Sequence, residues 1–223
     1  MTISNNFKIE FLSKEIKVII FDFDDTLVDG ELWITKRWKK TINHIESQYK
    51  INHFSDVFWE VFNEHGPFYK YHVNDTCEIL DIEQYLVPII VKRFHETKVE
   101  EKLFFDVLDC LKILQKKYLL GMITNGNESI QIERLEKLKI KKYFSDIICA
   151  YNFPKPSNKP FKKCIKFFGL DPTNFLYIGD DYEKDYLPAK KNGMNSVLIK
   201  RTENSYSNLN VPYICDLTEL FSY

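Results

Sequence analysis

Apolar residues follow two rhythms along the chain. Short unbroken runs stop abruptly at polar residues. Val18–Phe21 stops at Asp22, residues 118–123 stop at Thr124-Asn125-Gly126, and residues 175–178 stop at Gly179-Asp180-Asp181. A shorter run, 147–150, precedes Pro154 and Lys155, and residues 196–199 form a fifth. Runs of this kind predict strands covered on both faces, as in a parallel sheet. Between them the spacing changes to three and four. It does so at Phe104, Val107, Leu108, Leu111 and Leu114, at Ile132, Leu135 and Leu138, and at Phe161, Cys164, Ile165 and Phe168. That period predicts amphipathic helices. The alternation predicts an α/β fold built on a doubly wound parallel sheet. Ligands bind such sheets at the carboxyl ends of the strands, and the polar clusters fall there.

Residues 31–100 break the alternation. Ile34, Trp38, Ile42, Ile45 and Tyr49 make one helical stripe, residues 54–62 are dense in aromatics, and a third segment covers 77–94. Pro88 is expected to kink or break that third segment. All three Trp and all five His of the chain lie in this region. The pattern predicts a small helical cap domain, 31–100, inserted into a core of 1–30 and 101–223. The aromatics Phe54, Phe58, Trp59, Phe62, Phe68, Tyr69 and Tyr71 read as the cap's own core rather than a substrate-stacking surface. His65 and His72 read as surface residues.

Composition narrows the function. Of 223 residues, 44% are hydrophobic and 28% charged, a globular balance that excludes wholesale disorder. Lys and Arg total 31 against 32 Asp and Glu, which gives no electrostatic case for nucleic acid or an anionic membrane. No apolar run approaches the length of a membrane span. The polar N-terminus lacks the marks of a secretory signal. Five widely spaced cysteines form no CxxC pair and read as reduced thiols of a cytoplasmic protein. The basic residues are nearly all Lys; Arg occurs only at 37, 93, 134 and 201. A monomer acting on a small molecule is the working expectation.

Four clusters carry candidate chemistry. Asp22 and Asp24 are two apart on an extended segment and point the same way. Two carboxylates at a buried strand end need a compensating cation, whereas a lone Asp-x-Asp is ordinarily a solvated turn. Thr124-Asn125-Gly126 offers a hydroxyl and backbone N–H groups ahead of a helix, which suits phosphate but also a plain helix cap. Lys155, with Lys159 as a second candidate, could bind an anion or face solvent. Asp180 or Asp185 could complete an oxygen site for a hard cation, or the segment could simply cap the next helix.

In order and spacing, the four clusters resemble the haloacid dehalogenase superfamily of phosphohydrolases. Asp22 to Thr26 matches its Asp-x-Asp-x-Thr motif, Thr124 its second motif, Lys155-Pro156 its third, and Gly179-Asp180 with Asp185 its fourth. Gln131, the pair Tyr143-Phe144, and Ala189 to Met194 fit the linking text. The resemblance covers 16–30 and 103–199; the cap matches only in position and helical character. Asn152 stands near the usual Gly of the third loop and tolerates the left-handed conformation that Gly would take. Pro188 replaces a frequent Gly early in a helix, where Pro is accepted.

The resemblance implies a Rossmann-like α/β core and an Mg²⁺-dependent phosphatase acting on a small phosphomonoester, of the sugar phosphate or nucleotide class. Asp22 would be the nucleophile that forms an aspartyl phosphate, and Asp24 the general acid and base. Mg²⁺ would be held by Asp22, the Asp24 carbonyl and Asp180, with Asp185 bound to metal-coordinated water or orienting Lys155. Thr124, the Asn125 amide and Lys155 would bind phosphoryl oxygens. Family members that remove halide lack the acid–base Asp, so Asp24 favours phosphoryl transfer. Asp25 and Asp181 read as structural. A sugar phosphomutase would use the same core. A phospho-accepting receiver domain also combines Asp pairs, Thr, Lys and Mg²⁺, but without an insertion after the first strand. A catalytically dead binding module is disfavoured, because every candidate group is present.

Overall fold

All four residues of β1 (Val18–Phe21) are buried, but toward opposite sides. Ile19 and Phe21 enter one apolar cluster, Val18 and Ile20 another. That is the signature of a strand covered on both faces. The computed structural model describes residues 11–67, 69–201 and 210–221. Within them, β2 (Leu119–Thr124), β3 (Asp146–Cys149), β4 (Phe175–Gly179), β5 (Asn195–Ile199) and β6 (Tyr213–Ile214) join β1 in one sheet. The order is β3-β2-β1-β4-β5-β6, and every neighbouring pair is parallel.

In chain order the α-helices are α1 (Gly30–Tyr49), α2 (Phe54–His65), α3 (His72–Ile79), α4 (Leu86–Glu96), α5 (Val107–Leu114), α6 (Glu128–Lys137), α7 (Asn158–Phe168) and α8 (Leu187–Lys191). α5 and α6 cover one face of the sheet through Val107, Leu111, Leu114 and Leu135. α7 and α8 cover the other through Phe161, Cys164 and Ala189. The sheet is therefore doubly wound. From β1 the chain builds outward to β2 and β3, then returns to the other side of β1 as β4. The crevice between the ends of β1 and β4 is thus the switch point, where such sheets bind ligands. Pro188 sits at the second position of α8, where no helical N–H is missed. β6 is only two residues long, too short to stand out as an apolar run.

Residues 29–101 form a compact unit of their own. Its core is Trp38, Ile42, Ile45, Phe54, Phe58, Phe62, Val73, Cys77, Leu86 and Ile90. Three expectations need correction here. The third helical segment is two helices, and Pro88 lies in the first turn of α4 rather than at a kink; first-turn N–H groups have no intrahelical partner, so Pro costs little. Tyr49, at the end of the α1 stripe, is exposed, and so is Tyr71, expected in the cap's core. His72 is buried, only 1% exposed. Its Nε2 lies 2.9 Å from the Gly66 carbonyl at the end of α2, and its ring stacks on Phe62. His65 is exposed, and Phe68 falls outside the described residues. No described helix is long and apolar enough to cross a membrane.

Candidate active site

Asp22 follows β1 directly. Its backbone N–H donates to the Ile178 carbonyl at 2.8 Å, which holds it against β4. Its carboxylate meets the ammonium of Lys155, with Nζ 2.5 Å from Oδ1. The same Nζ lies 2.5 Å from Asp185 Oδ1. Lys155 comes from the loop after β3 and Asp185 from a single wide helical turn, Tyr182–Tyr186, that leads into α8. Three chain segments therefore converge on one buried ammonium. The Tyr177 hydroxyl, rising from β4, donates to Asp185 Oδ1 at 2.8 Å, and the Asp181 N–H donates to its Oδ2 at 3.1 Å. Asp185 approaches this closely because residue 179 is Gly: a Cβ there would lie 2.5 Å from the Asp185 carboxyl carbon.

Asp180, at the end of β4, completes an acidic trio. Oxygens of Asp22, Asp180 and Asp185 all lie within 4.8 Å of one another. Three carboxylates against one ammonium leave a local excess of negative charge. The consequence is visible in proton affinity. Burial, reinforced by Asp185, pushes Asp22 up to about 7 despite the attraction of Lys155. Burial together with Asp185 and Asp22 pushes Asp180 well above the usual carboxylate range. Burial would lower Lys155, but Asp185 and Asp22 outweigh it and raise it. An all-oxygen donor set carrying surplus negative charge fits a hard divalent cation such as Mg²⁺.

The second cluster adjoins the first. Asn125 grips the Lys155 backbone, its Oδ1 accepting from the Lys155 N–H at 2.8 Å and its Nδ2 lying 3.4 Å from the Lys155 carbonyl. With that side chain engaged, the Asn125 backbone N–H is the group left to consider for an anion. Thr124 is buried, and its Oγ1 accepts from Gln131 Nε2 at 2.8 Å. The cap of α6 is Asn127, whose side chain accepts from the Ser129 N–H, so the Thr124-Asn125 pair is not spent on capping. Likewise Asp181, not Asp180, caps the turn at 182–186.

The structure thus brings Asp22, Lys155, Asp180 and Asp185 into one cluster, with Thr124 and Asn125 beside it. The Asp24 carboxylate is not part of the acidic trio; it pairs with Arg134, Oδ1 lying 2.5 Å from Nη2. Lys159 is exposed, with its ammonium over the Phe153 ring. Asn152 is not in the left-handed region, so the loop turns without that device. Sequence reasoning missed Tyr177 and Arg134. A lone hydroxyl-bearing side chain in an otherwise apolar strand, and one of only four Arg in a Lys-rich chain, were the available signals.

Residues 19–199 match the haloacid dehalogenase-like hydrolase family. The chain is 29% identical over 215 residues to the glyceraldehyde 3-phosphate phosphatase of Pyrococcus furiosus, covering 90% of this chain and 86% of the relative. The corresponding protein of Pyrococcus abyssi is 32% identical over 197 residues, covering 83% and 82%. Among solved structures, a haloacid dehalogenase-like hydrolase of Bacillus subtilis bound to magnesium superposes with a TM-score of 0.71. It covers 93% of this chain and 97% of its own at 19% identity, a likeness of fold.

Proposed function

The chain belongs to the haloacid dehalogenase-like hydrolases and is a phosphoric monoester hydrolase, and on that footing we propose that it hydrolyses a small sugar phosphate through an Asp22 phosphoenzyme with Mg²⁺ as cofactor. The observation that carries the proposal is the Lys155 ammonium held 2.5 Å from both Asp22 and Asp185 at the switch point of the sheet. The named relatives support a sugar phosphate as substrate, since glyceraldehyde 3-phosphate is one.

The chemistry follows from the residue types. An Asp22 carboxylate oxygen attacks phosphorus, and the bond from phosphorus to the ester oxygen breaks. Asp24 gives a proton to the departing oxygen. Water then attacks the phosphorus of the aspartyl phosphate, Asp24 takes the proton of that water, and Asp22 leaves as carboxylate. The Thr124 hydroxyl, the Asn125 backbone N–H and the Lys155 ammonium hold the phosphoryl oxygens as charge shifts among them. Asp22, the Asp24 carbonyl, Asp180 and Asp185 would hold Mg²⁺, directly or through water. Bound there, Mg²⁺ supplies charge neutralisation that lets an anionic nucleophile meet an anionic phosphate. Residues 29–101 are the cap in this scheme.

The test is phosphate release from a panel of sugar phosphates, glyceraldehyde 3-phosphate among them, and nucleotides. The expected result is release from sugar phosphates with Mg²⁺, abolished by chelator and by Asp22→Asn, which keeps shape but removes the attacking charge. Undiminished turnover in Asp22→Asn would overturn the mechanism. Preference for nucleotides would overturn the substrate class.

A further inference from the structure

We infer that Arg134 is a positioning residue for the Asp24 carboxylate, tied through Gln131 to the turn that presents Thr124; the inference rests on Asp24 being the acid and base of the proposed reaction. The contacts form a continuous chain. Arg134 Nη2 lies 2.5 Å from Asp24 Oδ1, and Nη1 lies 3.2 Å from Oδ2. Nη1 also donates to Gln131 Oε1 at 2.7 Å. Gln131 in turn donates from Nε2 to Thr124 Oγ1 at 2.8 Å and to the Asn125 carbonyl at 2.9 Å. The candidate proton carrier and the candidate phosphate turn are therefore fixed to one another by two side chains of α6.

The placement argues against an incidental ion pair. Gln131 and Arg134 are three apart and share one face of α6. The Arg134 guanidinium lies over the ring of Phe23, 4.5 Å from its centroid, and Phe23 is fully buried between Asp22 and Asp24. The Arg134 side chain is 11% exposed and that of Asp24 26%. By contrast, pairs such as Lys112–Asp109 on helix surfaces are exposed and local, the kind worth little. The residue type also matters. The chain has 31 Lys and Arg, only four of them Arg. Two of those four, Arg134 and Arg201, grip a carboxylate by both oxygens. A planar fork that both binds bidentately and stacks on a ring is something Lys does not supply.

The grip fixes the direction of Asp24 without using it up. A carboxylate has about four lone-pair sites, and the fork takes two. A carboxylate free to rotate spends much of its time away from the leaving oxygen, and misplacement on the order of 1 Å can cost about a hundredfold. The role of Arg134 is thus confined to the proton transfers of Asp24, and the first of them, to the leaving oxygen, gives its test.

The test compares Arg134→Met, Arg134→Lys and Asp24→Asn with the parent protein on two phosphomonoesters in Mg²⁺. One is 4-nitrophenyl phosphate, whose leaving group departs with little need of a proton. The other is a sugar or alkyl phosphate, whose alkoxide needs one. Arg134→Met is expected to lower kcat/KM on the alkyl ester by on the order of thirtyfold, less than the hundredfold or more that loss of the general acid itself costs. On the nitrophenyl ester kcat/KM, which ends at departure of the leaving group and so excludes the later water step, should stay within about threefold, because proton transfer contributes little there. Arg134→Lys, which keeps the charge and covers the case in which the Met variant melts early, should show the same selectivity to a smaller degree. Combining Arg134→Met with Asp24→Asn should add nothing to Asp24→Asn alone. Equal losses of kcat/KM on both esters would overturn the inference as a merely structural effect. Leaving-group selectivity in Asp24→Asn without any in the Arg134 variants overturns the Arg134 inference and leaves the acid assignment standing. No selectivity in Asp24→Asn overturns both.

Discussion

The absent side chain at residue 179 governs how the Asp185 carboxylate lies against the end of β4. An added Cβ would sit 2.5 Å from Asp185 Cγ and Oδ2. Asp185 has little freedom to yield, because Lys155, Tyr177 and the Asp181 N–H all hold its oxygens. Gly179→Ala is therefore expected to cost about 1–3 kcal/mol, the usual range for overpacking, and to lower phosphatase kcat; thermal melting and phosphate release on the purified variant check both. Retention of stability and rate together would mean that Asp185 can relocate. The two lysines of the third cluster separate more simply. Lys155 is buried on Asp22 and Asp185, whereas Lys159 lies exposed on Phe153. Lys155→Ala should lower kcat by at least about a hundredfold, as loss of a transition-state donor does; steady-state kinetics should place Lys159→Ala within a few-fold of the parent by the same reasoning. The choice between them was legible in the chain, because Lys159 falls at the start of the amphipathic α7. Tyr177 was not, since an aromatic ring inside a buried strand looks like packing until its hydroxyl is located.

At the scale of elements, hydrophobic rhythm located five of the six described strands and three of the four helices over the sheet, α5, α6 and α7, because both depend on local periodicity; α8 spans only five residues, too few to show a period. The burial of His72 depends instead on a partner six residues away, the Gly66 carbonyl, and on rings of α2 and of the segment before α3. No local pattern announces that. The burial has a consequence for pH. Desolvation lowers His72 below its ordinary value of 6.5. The unfolded chain therefore takes up the proton first as pH falls. The stability contributed by neutral His72 is complete above 6.5 and is lost progressively as pH drops below it. All three Trp (33, 38 and 59) lie within residues 29–101, so tryptophan fluorescence reports this unit alone. Acid titration should unfold it at a higher pH in the parent than in His72→Phe, which fills the same ring cluster without titrating. Equal midpoints would show that His72 does not control its acid stability.

At the scale of the whole molecule, the site joins residues 22, 124, 155, 180 and 185, which the chain separates by as many as 163 positions and the switch point of the sheet reunites. Their convergence was legible only as a set, since each cluster alone reads as a turn, a cap or a surface lysine. The network through Arg134 was not legible, because its partner Asp24 lies 110 positions away on another element. Convergence also has a thermodynamic cost, for folding crowds three carboxylates around one ammonium. Asp22 and Asp180 both gain proton affinity on folding. Without a cation, the folded protein then holds protons that the unfolded chain has already released. The sign is fixed for these two groups: their contribution to the stability of the metal-free protein falls as pH rises from the ordinary carboxylate value of 3.8 through about 7. A divalent cation that binds only the folded trio should reverse that fall, adding about 2.7 kcal/mol at a concentration a hundred times its Kd. Melting curves at neutral pH should therefore rise with Mg²⁺ and drop with chelator. Asp180→Asn removes one charge of the trio at nearly constant shape. In chelator it should melt above the parent protein at neutral pH, and it should gain little from Mg²⁺. A parent protein whose melting ignores Mg²⁺, or an Asn variant that responds as strongly as the parent, would remove the trio from the metal site.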